Sequence, residues 1–160
     1  VIKGEIGTIE LRGDNVFIGY WEMPEKTAES FRDDGFFITG DMAREDEDGY
    51  ITIVGRAKDL IISEGLNIYP KEIESLIDAH HGVTESAVIG VPHPDFGEGV
   101  VAILVADDNV TADAVMAGIS DKLAKFKQPK KILFVDALPR NTMGKVQKAV
   151  MRKEHEKMFS

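Results

Sequence analysis

The sequence contains no cysteine among its 160 residues. This absence excludes disulfides, iron–sulfur clusters, cysteine-ligated zinc and a thiol nucleophile. It leaves the redox compartment unconstrained, and we take the cytoplasm as the expected location. Apolar runs are also short, far below the roughly 20 residues of a membrane-spanning helix, and no basic segment followed by an apolar one opens the chain. We therefore expect no membrane partner and no signal peptide.

Basic side chains are scarce, because 19 Lys and Arg face 28 Asp and Glu, for a net charge of −9. Residues 1–121 carry 8 basic and 25 acidic side chains, whereas residues 122–160 carry 11 and 3. A basic tail behind an acidic body indicates either a polyanionic partner or an ordinary lysine-rich surface. Nucleic acid is a poor fit, because the body would repel its phosphates and aromatic residues do not interleave with the basic ones. A small phosphorylated ligand fits as well or better.

Several enzyme motifs are missing. The patterns G-x-S-x-G and G-x-G-x-x-G do not occur, and the four histidines lack the spacing of zinc sites, so we expect no metal site. Gly144 and Lys145 do not complete a phosphate-loop motif. The motif needs Gly at position 139, which is Pro139, and Ser or Thr at position 146, which is Val146. Lys145 remains as a lysine on a loop before a helix. It either meets a phosphate or a developing negative charge, or is an ordinary solvated lysine.

Residues 1–57 have the pattern of a β-rich segment. Strands are predicted at residues 9–11 and 16–21, and two more flank the acidic turn that ends in Asp48 and Gly49. A short helix is predicted to begin at Pro24. Asp41 lies near a strand end, where its carboxylate either accepts hydrogen bonds from sugar hydroxyls or closes a β-turn.

Residues 58–160 have the pattern of a small α+β domain. Pro70 is predicted to begin a helix, and strands are expected at residues 83–91 and 98–105. Thr111 is expected to cap a helix that runs to about residue 125, and a basic helix is expected to begin at Val146. This order of elements favours an α+β fold. The charged joint at residues 55–59 is either a hinge or an ordinary turn.

Four sequence blocks carry a resemblance to a known family. They read ITGD at 38–41, GRAKDLIISEGLNIYPKEIE at 55–74, KFKQP at 125–129 and LPRNTMGK at 138–145. In this order and at this spacing, they resemble the C-terminal portion of the adenylate-forming superfamily. That superfamily comprises acyl-CoA synthetases, luciferases and the adenylation domains of peptide synthetases. Residues 92–99 and 138–148 are most similar to those of malonyl-CoA synthetases.

The resemblance implies two domains and a two-step reaction. Residues 1–57 would be the end of the β-barrel subdomain of an N-terminal domain, residues 58–160 a C-terminal lid, and Lys58 the hinge between them. The implied enzyme activates a carboxylic acid, with malonate as the candidate, by reaction with ATP. It then transfers the acyl group from the acyl-adenylate to CoA.

The resemblance also implies roles for individual residues. Asp41 and Arg56 would bind the ribose of ATP, and Lys145 would contact the carboxylate and the α-phosphate during adenylation. Mg²⁺ would be bound by upstream parts of the enzyme. The backbone that lines the pantetheine tunnel maps to Glu64, Gly65 and Leu66.

Partners and alternatives follow from the same resemblance. Because the first residue is Val1 and no Gly-rich phosphate loop occurs, we expect a piece of a longer enzyme whose partner is its own N-terminal domain. Alone, the chain is expected to be inactive. One alternative is an adenylation domain that loads a carrier protein. Another is a non-catalytic lid in which Lys145 is the target of a protein lysine acetyltransferase and deacetylase.

Overall fold

The computed structural model describes residues 3–160, which fold as two compact units. One unit ends at Lys58 and the other comprises Asp59–Ser160. Together they contain helices and sheets in the α+β arrangement expected from the sequence, so the predicted fold class is confirmed. The predicted division lay between residues 57 and 58.

The first unit is built on an antiparallel sheet of three strands in the described residues, in the order β1-β2-β3. These strands are β1 (Ile6–Leu11), β2 (Phe37–Glu45) and β3 (Ile51–Arg56). Helix α1 (Pro24–Ser30) begins at a proline, whose missing N–H costs nothing in the first turn of a helix. Strands β2 and β3 pair antiparallel on either side of the acidic turn, so the predicted hairpin is present.

The strand predicted at residues 16–21 is wrong, because these residues form bends and turns. The ring of Phe17 packs edge-on against that of Phe37, with 5.0 Å between centroids. The backbone N–H of Tyr20 donates to the hydroxyl of Thr27 at 2.9 Å instead of to a neighbouring strand. Aromatic clustering and a helix contact thus replace the strand pairing that the run of strand-forming residues after the turn had indicated.

An exposed ion pair joins β1 to the segment after α1. The guanidinium of Arg32 donates to both carboxylate oxygens of Glu10, and the Nε–Oε2 distance is 2.6 Å. The side-chain hydrogen bond from Arg32 lowers the pKa of Glu10 below its ordinary value. The same hydrogen bond raises the pKa of Arg32. The pair is bidentate, which is the strongest geometry for such a contact.

The second unit contains a mixed sheet with strands in the order β5-β4-β7-β6, and β8 pairs in parallel with β7. Its long central hairpin is antiparallel over nearly its full length. The strands are β4 (Ile61–Ser63), β5 (Leu66–Ile68), β6 (Val83–His93), β7 (Gly97–Ala106) and β8 (Lys131–Phe134).

Both faces of this sheet are buried in its middle, which explains why residues 87–91 of β6 and 100–104 of β7 are apolar without interruption. Successive residues of a strand point to opposite faces, so each strand feeds two cores. One core joins Val88, Val100 and Leu104 to the helices α2 (Pro70–Asp78) and α3 (Ala112–Ile119). The other joins further strand residues to α4 (Lys148–Glu154): Ala87, Ile89, Val91, Val101 and Ile103.

The predicted helices exist, but two have shorter bounds. Thr111 caps α3 by accepting a hydrogen bond from the N–H of Ala114 at 3.3 Å. The helix ends at Ile119, and a 3₁₀ turn follows instead of the predicted continuation to residue 125. The basic helix α4 begins two residues later than predicted. No helix within residues 3–160 has the length and apolar character that crossing a membrane requires.

Candidate functional site

Asp41 and Arg56 meet on the sheet of the first unit. They are register partners of β2 and β3, and Arg56 Nε lies 2.7 Å from Asp41 Oδ1. Arg56 Nη1 also donates to the carbonyl of Thr39 at 3.2 Å, and the N–H of Asp41 donates to the Thr39 hydroxyl at 3.0 Å. Asp41 therefore lies inside a strand, and the alternative that it closes a turn is wrong. A carboxylate has about four acceptor positions, so this ion pair leaves capacity for a diol.

Glu64 and Gly65 form the two-residue turn between β4 and β5. Both have left-handed backbones, with φ of 54° and 76°, which is the geometry of a type I′ hairpin. The N–H of Glu64 donates to the carbonyl of Phe96 at 2.9 Å, which holds the turn against the β6–β7 connection. A Cβ on Gly65 would meet no atom within 4 Å. The backbone of the turn, with Leu66 beside it, is thus open to a ligand.

Lys58 lies in a 3₁₀ turn, Ala57–Asp59, at the division between the two units. Its side chain is exposed. The next residue, Asp59, accepts a hydrogen bond at 3.0 Å from Arg152 of α4. The chain is therefore fixed to the second unit immediately after Lys58. The role of Lys58 as a hinge stays a prediction.

Lys145 is exposed on the loop before α4, and its ammonium makes no ion pair with any described residue. Asn141 holds the backbone of Lys145 from both sides. The N–H of Asn141 donates to the Lys145 carbonyl, and its side-chain Oδ1 accepts from the Lys145 N–H, both at 2.9 Å. Gly144 supplies the positive φ, 76°, that closes the turn. A free cation on a fixed backbone can stabilise an anionic ligand.

Helix α4 continues directly from this loop and is anchored at its first residue. Lys148 Nζ lies 2.5 Å from Glu74 Oε1, and Glu74 is buried in α2. The same oxygen of Glu74 accepts the N–H of Val88 at 2.8 Å. A buried carboxylate with a cation and a backbone donor is well satisfied, so α4 is tied to α2 and β6.

The structure brings only some of the predicted residues together. Asp41 contacts Arg56 in the first unit, whereas the turn at 64–66 and the Lys145 loop lie on separate hairpins of the second. Arg140 and Glu85, which form an ion pair beside Lys145, were missed. Arg140 lies in a recognised block, but nothing in the sequence links it to Glu85. Residues 3–160 hold no group of three or more His, Asp or Glu that could bind a metal ion, so they do not fit a Mg²⁺ site.

Comparison with known proteins gives consistent matches. Residues 72–145 match the AMP-binding enzyme C-terminal domain. A 3-[(3aS,4S,7aS)-7a-methyl-1,5-dioxo-octahydro-1H-inden-4-yl]propanoyl:CoA ligase from Rhodococcus jostii is 47% identical over 153 residues, or 94% of this chain and 30% of the ligase. Feruloyl-CoA synthase from an Amycolatopsis species is 45% identical over 155 residues, or 96% of this chain and 31% of the synthase. The chain thus spans less than a third of the length of these relatives.

Solved structures agree with this family. MatB from Rhodopseudomonas palustris, a malonyl-CoA synthetase, is 60% identical over 100% of this chain and 32% of its own. The TM-score is 0.90 for its ATP-bound structure and 0.74 for its apo structure. Residues 72–145 of this chain therefore carry the C-terminal domain of AMP-binding enzymes, and the curated relatives that the chain matches are acyl-CoA ligases.

Proposed function

We propose that this chain is the C-terminal part of an AMP-forming acid–thiol ligase, which converts a carboxylic acid into its CoA thioester. The observation that carries the proposal is the Lys145 loop. It presents an ammonium that has no ion-pair partner among residues 3–160, on a backbone that Asn141 holds from both sides. The acyl-CoA ligases among the relatives support the same chemistry.

In the proposed first step, a carboxylate oxygen attacks the α-phosphorus of ATP, and the bond to pyrophosphate breaks. In the second, the CoA sulfur attacks the acyl carbon, AMP leaves and the thiol proton is lost. Lys145 stabilises negative charge on the reacting carboxylate and α-phosphate in the first step. Asp41 accepts hydrogen bonds from the ribose hydroxyls while Arg56 holds the carboxylate in place. Mg²⁺ would be bound by upstream parts of the full-length enzyme.

The second step is assigned to the turn between β4 and β5. The backbone of Glu64, Gly65 and Leu66 is open and would lie along the pantetheine arm. Lys58 would be the hinge that lets the lid exchange the Lys145 loop for this turn between steps. The ATP-bound and apo structures of MatB match this one chain with TM-scores of 0.90 and 0.74 and therefore differ in conformation over the matched length, as a hinge of this kind would allow.

Malonate is the acid that we propose. Its support is the 60% identity to MatB, which exceeds the 45% identity to the feruloyl-CoA synthase and the 47% identity to the Rhodococcus jostii ligase. The full-length parent should accept malonate over acetate, ferulate and palmitate in a panel measured by AMP release. A preference for another acid would contradict malonate without affecting the ligase chemistry.

Two alternatives and one corollary stay predictions. Acyl transfer to a carrier protein would appear as loading of phosphopantetheinyl protein in place of free CoA. Acylation of the exposed Lys145 by an acetyltransferase, reversed by a deacetylase, would add regulation. The isolated 160-residue chain should give no acid-dependent ATP–pyrophosphate exchange, because it contains no phosphate loop.

The proposal is tested by Lys145→Ala in the full-length parent, with Lys153→Ala as the control on the exposed side of α4. We expect Lys145→Ala to slow ATP–pyrophosphate exchange about 10²–10³-fold, since one charge-stabilising contact is lost at the transition state. Thioester formation from supplied acyl-adenylate should be nearly unchanged. Equal losses in both half-reactions, or none in either, would contradict the assigned role.

A further inference from the structure

The guanidinium of Arg140 contacts the peptide that precedes Lys145. Arg140 Nη1 donates to the carbonyl of Gly144 at 2.7 Å. That carbonyl belongs to the peptide unit between Gly144 and Lys145, so its direction is coupled to the backbone of Lys145. Arg140 also pairs with Val146 in an isolated antiparallel bridge, which closes the loop at its base.

The other side of the guanidinium is held by a distant residue. Arg140 Nη2 forms an ion pair with Glu85 Oε2, and Glu85 lies on β6, 55 positions earlier in the chain. Strand β6 runs along the sheet of the second unit and is buried through its middle. The planar guanidinium of Arg140 therefore connects the Lys145 loop to Glu85 on strand β6 of the sheet.

We propose that Glu85 and Arg140 are positioning residues for Lys145. Neither has to touch the substrate. Glu85 fixes the plane of the Arg140 guanidinium, and Arg140 in turn fixes the Gly144 carbonyl and the start of the Lys145 side chain. This inference rests on the proposed function of Lys145. It matters for rate, because a misplacement of about 1 Å in a reacting group can cost about 10²-fold.

A purely structural role predicts something different. The side chains of Arg140 and Glu85 are 44% and 30% exposed. Ion pairs that are this open to solvent contribute little to stability. Loss of Glu85 should therefore leave the melting temperature nearly unchanged while it slows the one half-reaction that uses Lys145. A structural pair would affect both half-reactions alike.

The test uses Glu85→Gln in the full-length parent. The matched control is Glu72→Gln, which breaks the exposed ion pair of Glu72 with Lys127 in the same unit. For Glu85→Gln we expect kcat of ATP–pyrophosphate exchange to fall about tenfold with KM for ATP unchanged. Thioester formation from supplied acyl-adenylate should be unaffected. Glu72→Gln should change neither half-reaction.

Arg140→Lys separates geometry from charge. It keeps the positive charge but loses the planar fork, so it should lower the exchange rate as much as Glu85→Gln does. The double variant should be no slower than either single one, because both act through one contact.

Lys145→Ala in the same assays separates the two proposals. If it abolishes exchange while Glu85→Gln is silent, or if Glu85→Gln slows both half-reactions equally, only the positioning role is overturned. If Lys145→Ala is itself silent, both proposals are overturned.

Discussion

Ser63 places a hydroxyl in the interior of the second unit with no hydrogen-bond partner among the described residues. An unpaired buried hydroxyl costs about 1–3 kcal/mol of desolvation. We therefore expect Ser63→Ala to increase the free energy of unfolding by about 1 kcal/mol, measured by urea denaturation followed by circular dichroism.

The control for this prediction is Ser86→Ala. The Ser86 hydroxyl donates to Asp78 at 2.6 Å, so its removal should lower the free energy of unfolding by about 1 kcal/mol. The two alanine variants thus shift stability in opposite directions. A loss of stability in Ser63→Ala would mean that its hydroxyl is satisfied, for instance by a buried water.

Glu10 makes a pH-dependent contribution to the first unit. Its pKa is lowered by the side-chain hydrogen bond from Arg32, so the folded state favours the charged form. The stabilisation is fully present above the ordinary value of 4.5 and is lost as pH falls through the lowered folded-state pKa. Glu10→Gln should therefore reduce the melting temperature slightly at neutral pH. The difference from the unmodified chain should vanish well below pH 4.5.

Glu47→Gln serves as the control for this pH experiment, because Glu47 is exposed in the turn between β2 and β3. Its difference from the unmodified chain should stay near zero at every pH. A Glu10→Gln difference that persists in acid would contradict the assignment to the Arg32 contact. High salt should also weaken the effect at neutral pH, since the pair is open to solvent.

At the scale of elements, the Lys148–Glu74 pair holds α4 against α2. Lys148→Met would leave the buried Glu74 carboxylate without its cation. We expect a loss of about 2 kcal/mol, between the values for exposed and fully buried pairs, because the Lys148 side chain is 17% exposed. The measurement is the free energy of unfolding in urea.

A double-mutant cycle checks the origin of that loss. Glu74→Gln keeps a side-chain acceptor for the N–H of Val88 but removes the charge, so it should cost less. In Glu74→Gln/Lys148→Met the two losses should not add, because the stranded charge is gone. Additive losses would mean that the two side chains do not interact.

Most of the elements could be predicted because their signals are local. The strands around residues 83–91 and 98–105 each contain an apolar run, at residues 87–91 and 100–105, and Pro70 and Thr111 mark helix starts. The strand predicted at residues 16–21 does not form, because a strand needs a partner strand. Here the N–H of Tyr20 donates to the hydroxyl of Thr27 instead. The helix after Thr111 was predicted too long, because Gln128 caps the carbonyls of Ser120 and Leu123.

In the candidate site, too, the residues with a local sequence signal could be predicted, and the contacts made by the fold could not. Asp41, Arg56 and Lys145 lie in sequence blocks that can be recognised one at a time. The contacts that hold them depend on the fold: Arg140 meets Glu85, and Lys148 meets Glu74, across separations of 55 and 74 residues. A single sequence cannot indicate such pairs, because nothing in it shows which of its many charged side chains face solvent and which face each other.

At the scale of the whole molecule, Lys58 is the position at which a change of backbone should separate the two half-reactions. Proline there would fix φ and remove an N–H, and it would drive Ala57 away from the helical region that its 3₁₀ turn requires. Lys58→Pro in the full-length parent should impair one half-reaction far more than the other. The impaired step is the one whose lid orientation needs the 3₁₀ conformation of Ala57–Asp59.

Lys58→Ala is the control, because it removes the side chain and leaves the backbone free. It should leave both half-reactions close to those of the parent. ATP–pyrophosphate exchange and thioester formation are measured separately on folded protein. If Lys58→Pro slows both steps by the same factor, Lys58 is not the hinge.

The bond from Val88 to Glu74 also bears on how the molecule behaves at high concentration. In the described residues β6 pairs only with β7, so its outer side is a sheet edge, and its middle is strongly apolar. Such an edge is a template on which a strand of a second molecule can add. Here the carboxylate of Glu74 already occupies the Val88 donor, and Pro92 offers none further along. Glu74 therefore binds, besides Lys148, one edge donor that an added strand would need, on a stretch of β6 where Val88 and Val91 have no exposed surface.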